Sequence, residues 1–196
     1  MEYKKINEAQ AEHYIYEFNG KFPQIDAKAY AFSTAVLMGE VEIKEYASIW
    51  PNTTIRGDVN KIIVGRYSNI QDNCCLHVAD NFPCIVGDYV TVGHCVTLHA
   101  CKIEDYCLIG MGATVLDGAV IGRGSIVGAG ALVTKNTIIP PNSLVLGAPA
   151  KIVKSLSEKE IDAIHSQAVK YKTEWAEKYG LGKNVGGENY DGSQIV

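Results

Sequence analysis

The sequence predicts an all-β fold in which short parallel strands stack into coils, followed by one α-helix near the C-terminus. Three observations carry that expectation. From residue 101 a small side chain recurs at every sixth position: Cys101, Cys107, Ala113, Ala119, Ser125, Ala131, Thr137 and Ser143. Two places after each stands a branched aliphatic, from Ile103 to Val145. Glycines at 87, 93, 110, 112, 118, 122, 124, 128 and 130 suit corners, where the backbone needs positive φ or close approach. A period of six fits neither an α-helix nor a long alternating strand. It fits short β segments joined by tight corners, each sending two side chains into a narrow interior.

Taken in chain order, residues 1–22 read as an N-terminal extension. They mix Lys4, Lys5, Glu8, Glu12 and Glu17 with aromatics and hold no apolar run of the kind a secretion signal carries. The repeat domain is read as 23–150. Its signature runs from Ala35/Leu37 to Thr53/Ile55, from Ile62/Val64 to Cys74/Leu76, and from Cys84/Val86 to Val96/Leu98, which with the later part makes eighteen hexads. The phase slips three times: a nine-residue step around Gly57 and Asp58, a ten-residue step over Ala79 to Pro83, and a five-residue step at His99 to Cys101. Such slips mark loops or bulges. The repeat resembles that of the hexapeptide left-handed parallel β-helix, in which three hexads make one triangular coil. The resemblance implies about six coils and supplies the handedness, since ordinary β crossovers are right-handed.

Residues 151–180 change period. Ser157 and Glu160 form a capping box, Ile161, Ile164, Ala168, Tyr171 and Trp175 follow at helical spacing, and Gly180 stands where a helix should stop. One helix is expected to pack along the prism. Residues 181–196, with four glycines and little apolar content, read as a flexible tail.

Composition narrows the function. A net charge of −4 leaves no basic stripe to neutralise phosphates, which argues against nucleic acid and anionic membranes as partners and leaves small molecules. No apolar stretch approaches membrane length, and the chain is read as cytoplasmic. Of six cysteines, 74, 84, 101 and 107 fall on inward positions, so core packing is expected rather than disulfides. Cys95, beside His94 and off the inward positions, is likewise expected to be buried.

Three of the five histidines lie between 77 and 99. His77 is the fourth residue of the seventh hexad and His99 the fourth of the tenth, so the two stack on adjacent coils of one face. At an inter-strand spacing of about 4.8 Å both imidazoles reach one metal. Arg56, the fourth residue of the fourth hexad, heads the same column. A second column on a different face holds Asp72 and His94, with Gln71 beside Asp72. A single prism struggles to point His94 at a metal held by His77 and His99, whereas a neighbouring subunit does not. The register therefore predicts a homotrimer with one three-histidine site at each interface. Three histidine ligands leave the fourth position open, as in catalytic zinc sites; zinc is the default ion, and imidazoles also accept iron or cobalt.

These residues carry a second resemblance. Arg56-Gly57-Asp58, Asn69-Ile70-Gln71-Asp72, Leu76-His77-Val78, Val92-Gly93-His94, Leu98-His99, Gly110-Met111-Gly112 and Leu116-Asp117-Gly118 together are similar to γ-class carbonic anhydrases over roughly residues 20–160. The resemblance implies that His77, His94 and His99 hold the metal across a subunit interface. It implies reversible hydration of CO2 to bicarbonate by a metal-bound hydroxide, formed because the metal lowers the pKa of its water to near 7. It gives Gln71 the orienting of that water or of bicarbonate, and Arg56, Asp58 and Asp72 an interfacial network around the site. The loop after His77 is only Ala79-Asp80-Asn81-Phe82-Pro83, where the most active relatives carry a long acidic loop, and Asp80 is its one acidic residue. Where many relatives place a tyrosine near the site, this chain has Val145. Two other functions fit the repeat: a hexapeptide-repeat acyltransferase using acyl-CoA with one histidine as base, and a non-catalytic metal-binding trimeric scaffold.

Overall fold

The structure, a computed structural model, describes residues 15–176. The expected tail at 181–196, the helix stop at Gly180 and the side chain of Trp175 lie outside the described residues. Short parallel strands stack on three faces. Two faces belong to one twelve-stranded sheet, because Val36–Ile43 and Thr54–Val64 run through the corner between them. The third is an eight-stranded sheet from Tyr30–Ala31 through Ser48–Ile49 and Asn69–Ile70 to Ser143–Leu146, with Lys151–Ser155 added antiparallel at its end. The protein is a left-handed β-helix of about seven turns with one C-terminal helix.

The eighteen hexads account for six of those turns, and another precedes them. Ile15–Tyr16, Gln24–Ile25 and Tyr30–Ala31 pair in parallel with Leu37–Met38, Glu42–Ile43 and Ser48–Ile49. The added turn escapes the repeat because it offers Ala29/Ala31 where later hexads have a small residue and a branched aliphatic.

All eighteen third-position aliphatics are buried, none more than 3% exposed. They stack in register, as in Ile55, Leu76, Leu98, Val115 and Val133 on one face. Each such burial stabilises the coil by roughly 1.5–3 kcal/mol. Hydroxyls at first positions bridge the coils: Ser68 Oγ donates to the Gly87 carbonyl at 2.7 Å and accepts from the Val90 amide at 2.9 Å. Among the described residues no buried side-chain nitrogen or oxygen lacks a partner.

The sixth position turns the corner with positive φ. Glycine fills it at 112, 118, 124 and 130, but Tyr46, Tyr67, Tyr89 and Tyr106 adopt φ between 57° and 60°. A non-glycine residue there costs roughly 1–2 kcal/mol. Stacking recovers part of it: the rings of Tyr67, Tyr89 and Tyr106 lie 4.8 and 5.1 Å apart and nearly parallel.

Cys74, Cys84, Cys101 and Cys107 are buried and free, as the inward register requires. Burial pushes the Cys74 and Cys107 thiols up to about 12, so neither supplies a thiolate near neutral pH. Cys95 is exposed, contrary to expectation, because the sixth position at φ 60° turns its side chain outward. No helix among the described residues is long and apolar enough to cross a membrane.

The helix Glu158–Lys170 starts at the expected capping box and passes into a π-helical turn, Tyr171–Ala176. Its Ile164 and Ala168 are buried. His165 packs on Tyr89 and Tyr106, and Tyr171 meets Trp50 edge-on at 5.5 Å. Glu160 accepts from the Ser157 amide at 2.9 Å and from Lys154 at 2.7 Å. The Lys154 ammonium, then the Ser157 amide and hydroxyl, hold its carboxyl down to about 2. A depressed folded pKa gives stability that is complete above the ordinary value of 4.5 and lost as pH falls towards 2. Glu160→Ala is therefore expected to speed amide hydrogen exchange across residues 158–170 at neutral pH. Acidifying the wild type through that window should reproduce the loosening, and equal exchange in the two proteins at pH 7 would contradict this capping role.

Candidate metal centre

All three phase slips fall at one corner of the prism. The nine-, ten- and five-residue steps belong to the hexads that begin at Thr53, Cys74 and Val96, which stack on the same face. At the other two corners half of the fourth positions are glycine. A Cβ at Gly87 or Gly110 would meet the next coil's backbone within 3 Å. At the slipped corner the fourth positions carry Arg56, His77 and His99, in register as Arg56 opposite His77 and His77 opposite His99.

The two imidazoles converge. His77 Nδ1 lies 3.1 Å from His99 Nε2, with ring centroids 5.1 Å apart. The outer nitrogen of each ring is held by a carboxylate: His77 Nε2 by Asp58 at 3.0 Å and His99 Nδ1 by Asp117. Asp58 also accepts from the Val59 amide and from Arg56. Burial pushes its carboxyl up, but the Val59 and His77 bonds and the Arg56 charge outweigh burial and hold it below the usual carboxylate range. At Asp117 the Lys135 ammonium lowers the carboxyl against burial, and His99 adds to the lowering.

Ionised carboxylates accept the N–H of each ring's outer nitrogen. The inner nitrogens are left as two lone pairs facing each other, so either a shared proton or a cation must sit between them. Two ligand nitrogens at 2.0–2.1 Å from a tetrahedral ion stand about 3.3 Å apart, close to the separation found. A carboxylate behind each ligating histidine is the usual support of a metal site. The donor set thus fits a metal.

His94 lies on the third face, its Nδ1 held by Asp72 Oδ2 at 2.8 Å. The pairing is the same: one ring nitrogen on a carboxylate, the other open. The structure brings Arg56, Asp58, His77 and His99 together and sets Asp72 and His94 apart from them. Among the described residues no three histidine, cysteine or carboxylate side chains converge as a metal cage within the chain. Gln71 sits beside Asp72 and is only 3% exposed. Its amide donates to Asn69 at 3.0 Å, and Asn69 in turn donates to Thr91 at 3.0 Å. Tyr171 reaches the same spot from the C-terminal helix: burial raises its phenol, the Asp72 charge adds to the rise, and a bond to Gln71 opposes it. Val145 is fully buried in the core and points away from both columns.

Sequence reasoning assigned no role to Asp117, Lys135 or Tyr171. For the first two a signal exists: Asp117 stands on the coil after His99, one place beyond the residue in register with it, and Lys135 stands eighteen residues, one further coil, after Asp117. The loop after His77 is a tight turn closed by reciprocal bonds between Ala79 and Phe82 at 3.1 Å, and Asn60 pins it through the Ala79 and Asp80 carbonyls. Asp80 and Phe82 line a cavity of about 260 Å³ with Asp117, Lys135 and Asn136.

Residues 100–135 match the family described as "Bacterial transferase hexapeptide (six repeats)". The chain is 58% identical over 137 residues to a Methanocaldococcus jannaschii protein named "Probable carbonic anhydrase", covering 70% of this chain and 86% of the relative. It is 50% identical over 147 residues to a carbonic anhydrase of Geobacillus kaustophilus, covering 75% of this chain and 81% of the relative. A Bacillus cereus crystal structure described as a "putative acetyltransferase" superposes with a TM-score of 0.80 at 42% identity, covering 82% of this chain and 93% of that one.

Proposed function

Because the chain belongs to the γ-class carbonic anhydrase-like family of hexapeptide-repeat proteins, we propose that it catalyses the reversible hydration of CO2 to bicarbonate. The observation that carries this reading is the pair of inner nitrogens of His77 and His99 facing each other 3.1 Å apart, each ring fixed from behind by a carboxylate. In the proposed homotrimer His77 and His99 come from one subunit and His94 from its neighbour. Zinc is the expected ion, with iron and cobalt as alternatives. The chemistry such an ion supplies is Lewis acidity, which brings the pKa of a water to near 7 so that CO2 meets a nucleophile at neutral pH.

The chain's own residues do the rest. Asp58, Asp72 and Asp117 keep three imidazoles in the tautomer that leaves a lone pair for the ion. Gln71 and Arg56 orient the attacking water and pair with the bicarbonate product. Two exposed apolar side chains support an interface along both columns: Val59, 54% exposed beside Asp58, and Met111, 62% exposed on the coil after His94.

The acetyltransferase description of the Bacillus cereus structure favours a second reading, acyl transfer from acyl-CoA. One experiment separates these readings. Protein purified without chelator or added metal is expected to hold one metal per chain and to hydrate CO2 in stopped flow, and chelation should remove both. Metal without hydration would favour a non-catalytic scaffold. No metal under any loading condition, with acyl-CoA bound, would favour the acyltransferase.

A further inference from the structure

The ladder of contacts at the slipped corner does not end at the histidines. Asp117 divides its two oxygens: Oδ1 takes the N–H of His99 Nδ1, and Oδ2 takes the Lys135 ammonium. The carboxylate is mostly shielded, with 15% of its side chain exposed, whereas Lys135 is 66% exposed and reaches in from the next coil. The arrangement mirrors the other end of the column, where Asp58 holds His77 Nε2 and Arg56 holds Asp58. A cation, a carboxylate and an imidazole therefore stand on each side of the His77–His99 contact. A structural salt bridge would need only Asp117 and Lys135; here the second oxygen is spent on the ring whose other nitrogen meets His77.

We propose that Asp117, clamped by Lys135, is a positioning residue that fixes the orientation and tautomer of His99 and thereby sets the metal affinity of the site. This rests on the reading that His77 and His99 are metal ligands. A half-turn of His99 about χ2 would put ring carbons where its two nitrogens stand; the Asp117 bond selects the rotamer that turns Nε2 towards His77. Lys135 keeps the carboxylate from swinging out towards solvent through the cavity that both residues line. Removing such a support typically lowers metal affinity by about 10–100-fold.

The test is Co2+ titration of metal-free full-length protein, read as dissociation constant and as visible absorption, which reports ligand geometry. Wild type, Asp117→Ala, Asp117→Asn and Lys135→Met are compared. Asp117→Ala is expected to raise the Co2+ dissociation constant about 10–100-fold and to change the band shape. Asp117→Asn, which keeps an oxygen for the ring N–H, should fall between it and wild type, and Lys135→Met should weaken binding less than Asp117→Ala. Thermal unfolding of the metal-free forms should be unchanged. Should Asp117→Ala fail to fold, the near-isosteric Asp117→Asn decides. Wild-type affinity and spectrum in both Asp117 variants would overturn the positioning role while leaving the histidine site intact. A wild type that is folded and trimeric yet takes up no Co2+ would overturn the metal site itself, and this inference with it.

Discussion

His77→Ala and His94→Ala are each expected to abolish CO2 hydration, and mixed trimers of the two inactive proteins are expected to recover it. The argument is positional. His77 and His99 face each other on one side of the prism, while His94 stands on another with Asp72. If each site takes its first two ligands from one subunit and the third from the next, a His94→Ala chain still offers an intact His77–His99 pair. A His77→Ala chain still offers His94. In a trimer containing both kinds of chain, one interface of three joins the two intact halves. Random mixing in equal amounts puts both chains in about three quarters of trimers, so about a quarter of wild-type sites return. Mixing His77→Ala with His99→Ala serves as the control, because those residues come from the same subunit and no arrangement rebuilds the pair. Co-expression, native mass spectrometry to verify mixing, and stopped-flow hydration make the measurement. Mixed trimers that bind no metal would mean that the three histidines do not meet across an interface.

Much of this was legible in the sequence, for a physical reason. A period of six leaves only one place for each inward side chain, so the pairs from Ala35/Leu37 to Ser143/Val145 specify register as well as fold. Register then carried Arg56, His77 and His99 to one column, and the structure pairs them so. The three phase slips also share a corner, and the hexads in which the step changes are the ones whose fourth positions carry Arg56, His77 and His99. The turn at residues 15–31 was not legible because alanine occupies its aliphatic position at 31, which weakens the signature. Asp117 and Lys135 sit on regular hexads with no slip to mark them, and only their places one and two coils after His99 point to the column. The contact of Tyr171 with Gln71 depends on how a helix docks on the prism, and no repeat encodes that.

Gly110→Ala is expected to be among the most destabilising single-methyl changes in the molecule, although it adds only one carbon. Gly110 is the fourth residue of its hexad, at a corner where the chain passes directly beneath the next coil. A Cβ there would lie 2.7 Å from the Gly128 carbonyl carbon and 2.9 Å from the Ala129 Cα, and closer still to the Ala129 nitrogen. All three are backbone atoms, so no side chain can swing aside. The coils would have to part, and the ladder that joins Leu108 to Ile126 and Ile109 to Val127 resists that. The Gly110 amide itself donates to the Val127 carbonyl at 2.7 Å. Overpacking that only backbone displacement can relieve should cost at least about 3 kcal/mol. In a domain of this size that lowers the melting temperature by roughly 6–12 °C. Gly112 provides the comparison two residues on. Its φ of 67° demands the left-handed region, but no atom lies within 4 Å of a Cβ there, so Gly112→Ala should cost only the conformational penalty of roughly 1–2 kcal/mol. Thermal melts of the two variants separate steric from conformational need for glycine. Equal melting temperatures would show that the coils part easily at this corner. In that case Met111, which stacks on the coil that carries His94, could not hold a fixed face towards a neighbouring subunit, and the shared site would lose its rigid wall.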